Sequence, residues 1–150
     1  PNPTDRGKRG VKRSVVTETA GVPVGVTVAG ANRNDHLLLE ETLTGIVVRR
    51  PKPTKTRPQG LCLDKGYDYA STREIAARLR LTLHLRTRGE EAKAKRRGGK
   101  ARRWVVERAH SWLNRFRRLL VRWEKKASNY EAMLHLACAT IVAGQAGLFG

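Results

Sequence analysis

Two acidic residues, Asp64 and Glu107, have the residue type and the placement that metal-dependent chemistry requires. Asp64 directly follows the short apolar run Gly60–Leu63, and Glu107 lies in a long stretch with helical periodicity. The end of a core strand in an α/β sheet is a common position for ligand sites. If the two carboxylates converge, they would suit Mg²⁺ or Mn²⁺, hard cations that take oxygen ligands. A pair of such ions activates water and stabilises the leaving oxygen of a phosphodiester.

Each carboxylate also has a simpler interpretation. Asp64 precedes Lys65 and Gly66, a pattern typical of a turn, and local pattern alone favours this role over a catalytic one. Glu107 has Arg103 and Arg108 as neighbours with which it could form ordinary exposed ion pairs. Spacing alone does not establish that the two carboxylates meet.

The elements that must position these residues follow from periodicity and turn residues. Runs rich in β-branched residues at 11–18 and 22–29, joined by a Gly-containing turn, predict a hairpin. Further strands are predicted at 60–63 and 81–87, and helices at 36–44, 72–80, 103–125 and 128–142. The order β-β-α-β-α-β-α-α predicts a mixed α/β domain, with the hairpin strands beside strands joined through helices.

Helix ends carry recognisable residues. Asp35 is predicted to cap the first helix, and the pairs Ser71/Glu74 and Ser128/Glu131 predict capping boxes at two later helices. The 103–125 helix is predicted to bury one apolar face, formed by Val105, Ala109, Trp112, Phe116, Leu119, Leu120 and Trp123. Its aromatic residues are therefore predicted to be core residues rather than platforms for stacking bases.

The charge of the chain is its dominant compositional feature. There are 31 Lys+Arg against 13 Asp+Glu, a formal net charge of +18. Such a field attracts polyanions, so nucleic acid is the expected partner, with acidic lipid surfaces the weaker alternative. A basic, proline-punctuated connector at 49–59 and a Gly- and Lys-rich segment at 87–102, predicted to be mobile, carry much of this charge. The run 93–103 is predicted to neutralise phosphates.

Cysteine usage and hydropathy limit the remaining classes. Cys62 and Cys138 lie far apart in apolar runs, which predicts buried thiols in a reducing compartment and not a disulfide framework or a zinc site. The apolar stretch 133–149 is short and interrupted by polar residues, so no membrane span is expected. The chain begins at Pro1 and not at Met, which favours a piece of a longer protein.

Three segments occur in order along the chain: GVPVGVTVAGANRNDHLLLEETL, CLDKGYD and RWVVERAHSWLNRFRRLLVRWEKKASNYEAMLHLAC. Together they resemble the C-terminal half of IS5-type bacterial insertion-sequence transposases, within the wider IS4-like DDE group, over residues 5–145. The resemblance implies an RNase H-like α/β fold, a single mixed sheet flanked by helices, in which two Asp and one Glu bind two Mg²⁺ or Mn²⁺ ions. It also implies a cytoplasmic, nucleoid-associated enzyme that cleaves and joins DNA, acting as a homodimer on paired element ends.

The resemblance implies a catalytic role for only two acids of this chain. Asp64 matches the second Asp of the family, and Glu107 matches its Glu. The first Asp lies on a strand upstream of the matching segment, so this Asp and the first strand are expected to be missing here. Asp5 falls in the loop after that strand, and helix capping accounts for Asp35, so neither is expected to replace it. The chain alone is therefore predicted to lack strand-transfer activity.

The resemblance also supplies candidate DNA contacts. Arg103 matches the arginine that precedes the family's Glu and contacts the DNA end. The wider group often has a Tyr seven residues before the Glu and a Lys seven after it, where this chain has Lys100 and Asn114. Arg115 is a candidate replacement for that lysine. Apart from the resemblance, charge or position makes Lys100, Arg108, Arg118 and Tyr67 further candidates, and for Tyr67 packing in the turn is an equal alternative.

Two further interpretations stay open at this point. A non-catalytic basic DNA- or RNA-binding module would explain the charge without requiring that Asp64 and Glu107 converge. A decayed remnant of a transposase would carry the same motifs without present activity. The separation of the two carboxylates is the feature that distinguishes the binding module from the enzyme.

Overall fold

The computed structural model describes residues 10–85 and 104–149. Its first unit is the predicted hairpin, in which β1 (Val11–Thr17) pairs antiparallel with β2 (Pro23–Gly30). Gly21 in the connecting turn has φ +92°, a conformation that favours glycine. The predicted hairpin is confirmed.

The first helix packs closely on this hairpin. A 3₁₀ turn, Asp35–Leu38, leads into α1 (Leu39–Thr44), which ends at Gly45 as predicted. A Cβ on Gly25 of β2 would lie 2.8 Å from the carbonyl oxygen of Thr42, so only glycine permits this approach. The predicted cap is wrong: the N-cap residue is Asn34, without a side-chain bond, and Asp35 lies in the first turn. Its carboxylate instead pairs with Lys12 of β1, with 3.2 Å between Oδ1 and Nζ.

The second unit is a parallel βαβ unit. β3 (Gly60–Leu63) is followed by a 3₁₀ turn at Lys65–Tyr67, by α2 (Ala70–Arg78) and by β4 (Thr82–Leu85). The register runs from Gly60 opposite Thr82 to Leu63 opposite Leu85. Parallel strands need a crossover, and α2 supplies it. Both strands and the intervening helix are confirmed.

The predicted single mixed sheet is not formed within the described residues. β1 and β2 make one two-stranded sheet, and β3 and β4 make another. No strand in the described ranges is hydrogen-bonded to both pairs, which is why they remain separate. They nevertheless share apolar packing, because Val16 of β1 lies against a cluster that includes Leu61 of β3. The buried residues of this cluster are Leu39, Leu43, Leu61 and Ile75. We call it the second cluster, to distinguish it from the first cluster, which is formed around the last helix.

The predicted 103–125 helix is formed as two helices, and the break between them changes which side chains are buried. The two helices are α3 (Trp104–Asn114) and α4 (Arg117–Leu120), separated by Phe116 in an extended conformation with φ −83° and ψ 104°. In a straight helix Leu113 and Leu120 would share a face, since they are seven residues apart. The break instead buries Leu119 and leaves Leu120 61% exposed, while Phe116 packs against the core.

The last helix, α5 (Ala127–Gln145), completes the core. The first cluster joins it to β2, α3 and α4 through Val26, Leu113, Leu119, Tyr130, Leu134, Ala137 and Cys138. Trp123 in the connection before α5 is 76% exposed, contrary to the predicted core role. Cys138 is buried as predicted, whereas Cys62 is exposed. No helix in the described ranges has the length and apolar character needed to cross a membrane.

Both predicted capping boxes are wrong for the same reason. α2 begins at Ala70 and α5 at Ala127, in each case one residue before the serine that was expected to cap the helix. Ser71 and Ser128 therefore lie inside their helices, where the capping geometry is not available. The residues at the N-cap positions, Tyr69 and Lys126, make no side-chain cap bond.

Candidate functional site

Asp64 occupies the point where β3 ends and the chain turns outward. Its backbone is extended, with φ −80° and ψ 174°, and its Oδ1 accepts a hydrogen bond of 2.9 Å from the amide of Gly66. This bond orients the side chain and caps the turn at Lys65–Tyr67. An ionised carboxylate has about four acceptor positions on its two oxygens, so one bond leaves most of them available. The side chain is exposed, and the turn role and a ligand role are compatible.

Tyr67 links Asp64 to the start of the first helix. Its ring packs against the second cluster, and the 3₁₀ turn that carries it contacts the 3₁₀ turn Asp35–Leu38. Burial, together with the smaller effect of the negative charges of Asp35 and Asp64, raises the pKa of Tyr67 to about 12. The neighbouring rings of His36 and Tyr69 stack, with 3.9 Å between their centroids. Asp35 was expected only to cap a helix. The structure instead places its charge, like that of Asp64, close to Tyr67.

Glu107 lies in the first turn of α3 and is exposed. A carboxylate in this position interacts favourably with the helix dipole. The side chain of Glu107 forms no ion pair or hydrogen bond within the described part of the chain. Arg108, one of its expected partners, instead donates to the carbonyl oxygen of Ala20 at 3.1 Å and lies over the ring of Trp112 at 5.8 Å. Arg108 thus ties α3 to the hairpin turn.

One residue near α3 was missed from the sequence. Arg13 of β1 donates from Nη2 to Oδ1 of Asn114 at 2.8 Å, and its Nη1 is buried with no hydrogen-bond partner among the described residues. Burial lowers the pKa of His110, and the Arg13 guanidinium lowers it further. Strand alternation could have indicated that Arg13 faces the core. It lies on the same strand face as Val11 and Val15, both of which pack against the first cluster.

The predicted DNA contacts occupy different environments. Lys100 and Arg103 lie outside the described residues. Arg115 follows α3 and is exposed. Nη1 of Arg118 in α4 lies 3.4 Å from Oε1 of Glu124, whose side chain is only 9% exposed. The other carboxylate oxygen of Glu124, Oε2, is buried with no hydrogen-bond partner in the part of the chain that the structure describes. Arg118 is therefore partly committed to an internal ion pair.

Convergence of Asp64 and Glu107 stays a prediction. The β3 end packs against the 3₁₀ turn Asp35–Leu38, whereas α3 packs on β1, α4 and α5. Within the described ranges no three His, Cys, Asp or Glu residues form a group able to hold a metal ion.

Comparison with known proteins gives two matches. A family model described as the transposase DDE domain matches residues 1–142. A putative transposase for insertion sequence element IS402, from Burkholderia cepacia, is 40% identical over 150 residues. That alignment covers 94% of this chain and 66% of the relative, slightly less than two thirds of its length. No solved structure is significantly similar to the chain.

Proposed function

The chain belongs to the transposase DDE domain family, and we propose that it is part of the catalytic domain of a DNA transposase. The intact enzyme, of the IS5 type within the IS4-like group, would cleave and join phosphodiesters at the ends of an insertion sequence. The observation that carries this proposal is the exposed Asp64 presented at the end of β3, in a family member with a net charge of +18.

Asp64 and Glu107 fit a hard divalent cation. Both carboxylates are exposed, they offer oxygen donors, and neither forms an ion pair with a described residue. We propose that they hold Mg²⁺ or Mn²⁺, two ions in the intact enzyme. Bound ions of this kind activate a water and stabilise charge on the leaving oxygen. The Gly66 amide fixes the direction of Asp64, and the β3 strand supplies a rigid support.

The third carboxylate is proposed to come from a segment that precedes this chain in the full enzyme. The IS402 relative is longer than the matched region, which leaves room for such a segment. We further propose that its first strand joins the hairpin and the β3–β4 pair into one RNase H-like sheet. The shared packing of Val16 and Leu61 in the second cluster supports a common core. The 150-residue chain alone is then expected to be inactive in strand transfer.

DNA is the proposed partner, at the element ends and at the target. Lys100, Arg103 and Arg115 are the proposed backbone contacts near Glu107. Arg108 and Arg118 have internal bonds to the Ala20 carbonyl and to Glu124, so their contribution to DNA binding is expected to be smaller. Tyr67 is half-buried, and we propose that its packing against the second cluster holds the turn after Asp64 in place. A homodimer on paired ends, working in the bacterial cytoplasm at the nucleoid, completes the proposal.

Calorimetric titration with Mn²⁺ tests the site. The double variant Asp64→Asn/Glu107→Gln removes both charges, and the amide oxygen of the new asparagine side chain would still accept the Gly66 bond, so the turn is retained. A matched control, Asp68→Asn/Glu74→Gln, also removes one Asp and one Glu charge at exposed positions. We expect binding by the native chain and the control, and loss of binding in the first variant. Equal Mn²⁺ binding by all three proteins would contradict the site and favour a non-catalytic basic module.

A further inference from the structure

The connector between α1 and β3 has the composition of an anion-binding segment. Residues 49–59 contain five cationic side chains and no acidic one, and three prolines interrupt them. From sequence this segment is expected to be a basic, proline-punctuated connector. The structure adds that hydrogen bonds close it into a loop.

Hydrogen bonds close this loop on itself. The Gln59 side chain donates to the carbonyl oxygen of Pro51 at 2.7 Å, which brings the two ends of residues 51–59 together. At the tip, the amide of Thr54 donates to the carbonyl oxygen of Arg57 at 3.2 Å, and the Arg57 amide donates to Oγ1 of Thr54 at 3.0 Å. Proline further restricts the backbone. The loop therefore presents its side chains from a restrained backbone.

The loop is also attached to the βαβ unit. Arg50 donates from Nη2 to the carbonyl oxygen of Leu79 at 2.8 Å, and the amide of Thr82 donates to the carbonyl oxygen of Gln59 at 2.7 Å. These bonds anchor the loop beside the end of α2 and the start of β4. Gly60 begins β3 directly after the loop, so the loop lies at the opposite end of β3 from Asp64.

Three exposed cations of the loop lack anionic partners among the described residues. Lys52, Lys55 and Arg57 are exposed and form no ion pair within the part of the chain that the structure describes. By contrast, Arg73 pairs with Asp68, and Arg78 pairs with Glu40. A paired arginine has its charge largely satisfied, whereas an unpaired cation on an ordered loop remains available to a phosphate.

We propose that loop 51–59 binds the phosphate backbone of duplex DNA that flanks the reacting position, an inference that rests on DNA being the partner in the proposed function. Lys52, Lys55 and Arg57 supply the contacts. Because such contacts involve phosphates and not base edges, the binding is independent of sequence. The phosphates bound here are distinct from the one at Asp64, since the strand β3 separates the two places.

Salt-dependent binding of the 150-residue chain to a short duplex of random sequence tests the loop. The variant Lys55→Gln/Arg57→Gln removes two unpaired cations, and the control Arg73→Gln/Arg78→Gln removes two paired ones. Each lost phosphate contact lowers the slope of log K against log salt by about 0.9, which corresponds to about 60-fold weaker binding for two contacts at about 0.1 M salt. The control should change affinity by no more than about threefold, because Arg73 and Arg78 are already paired with Asp68 and Glu40 and exposed ion pairs contribute little.

The outcomes separate the loop from the proposed function. An equal loss of affinity in the two double variants would overturn the loop contact and leave only the net charge as the cause. Failure of the native chain to bind duplex DNA at all would overturn the DNA partner itself. The loop variant should keep its Mn²⁺ binding and its unfolding temperature, which shows that the fold and the carboxylate site are intact. If Mn²⁺ binding or folding is lost with it, the effect is structural and the loop contact is contradicted.

Discussion

Replacing Tyr67 by phenylalanine is expected to remove a tyrosine that ionises unusually late. The chain has three tyrosines, so the difference between the alkaline absorbance titrations of the native protein and Tyr67→Phe isolates this phenol. Burial, with smaller contributions from the Asp35 and Asp64 charges, raises the pKa of Tyr67 from 10.0 to about 12. The difference curve should therefore have its midpoint near pH 12.

The same shift predicts how stability depends on pH. Two pKa units correspond to about 2.7 kcal/mol, and partial exposure of the ring reduces this to about 1–2 kcal/mol. The folded chain holds the phenolic proton more tightly than the unfolded chain does. The stabilisation is thus complete below pH 10.0 and is lost as the pH rises through about 12. Urea unfolding should show the native protein losing about 1–2 kcal/mol of stability relative to Tyr67→Phe over this window.

Charge removal then tests the neighbourhood of the candidate site. Asp35→Asn and Asp64→Asn should each lower the pKa of Tyr67, with the larger effect from Asp35. Asp68→Asn is the control, because Asp68 adjoins Tyr67 in sequence but pairs with Arg73. A midpoint at the ordinary tyrosine value in the folded protein, or no response to Asp64→Asn, would refute the placement of Asp64 beside the ring.

The remaining predictions concern α3 and its surroundings. Burial and then the Arg13 charge lower the pKa of His110 from 6.5, so stability should fall as the pH drops below that value, and Arg13→Gln should raise the His110 pKa in an NMR titration. Leu113→Ala should cost about 2–5 kcal/mol in denaturant unfolding, because the side chain is fully buried. Trp123→Ala should change stability by less than about 0.5 kcal/mol, since the ring is 76% exposed, and a large loss would contradict its placement.

Periodicity predicted the elements better than it predicted their ends. The hairpin, β3 and β4 follow from alternation and glycine turns, which are local properties. The capping boxes failed because the alanines before Ser71 and Ser128 already have helical conformation, and the pattern of a serine followed by a glutamate does not reveal this. The break at Phe116 could not be predicted locally either, because it is caused by packing of Phe116 and Leu119 against the first cluster.

For Asp64 the position after β3 raised the possibility of a ligand, and the family resemblance supplied the catalytic assignment, which stays a prediction. The structure adds the Gly66 bond that orients the side chain. Arg13 was missed because its role depends on Asn114, which lies 101 residues away in the chain. Asp35 was assigned to capping because the sequence does not show that Lys12 lies opposite it. Such long-range pairs depend on the tertiary fold, and local periodicity contains no information about them.

The bond from Gly66 to Asp64 restricts which acid can occupy this position. Glutamate would carry the same charge, but its additional methylene group would displace the carboxylate from the amide that it caps. Asparagine would preserve the cap and lose the charge. Aspartate alone among the natural side chains meets both requirements. If only the negative charge mattered, related proteins could have either aspartate or glutamate at residue 64, whereas the bond to Gly66 should restrict them to aspartate.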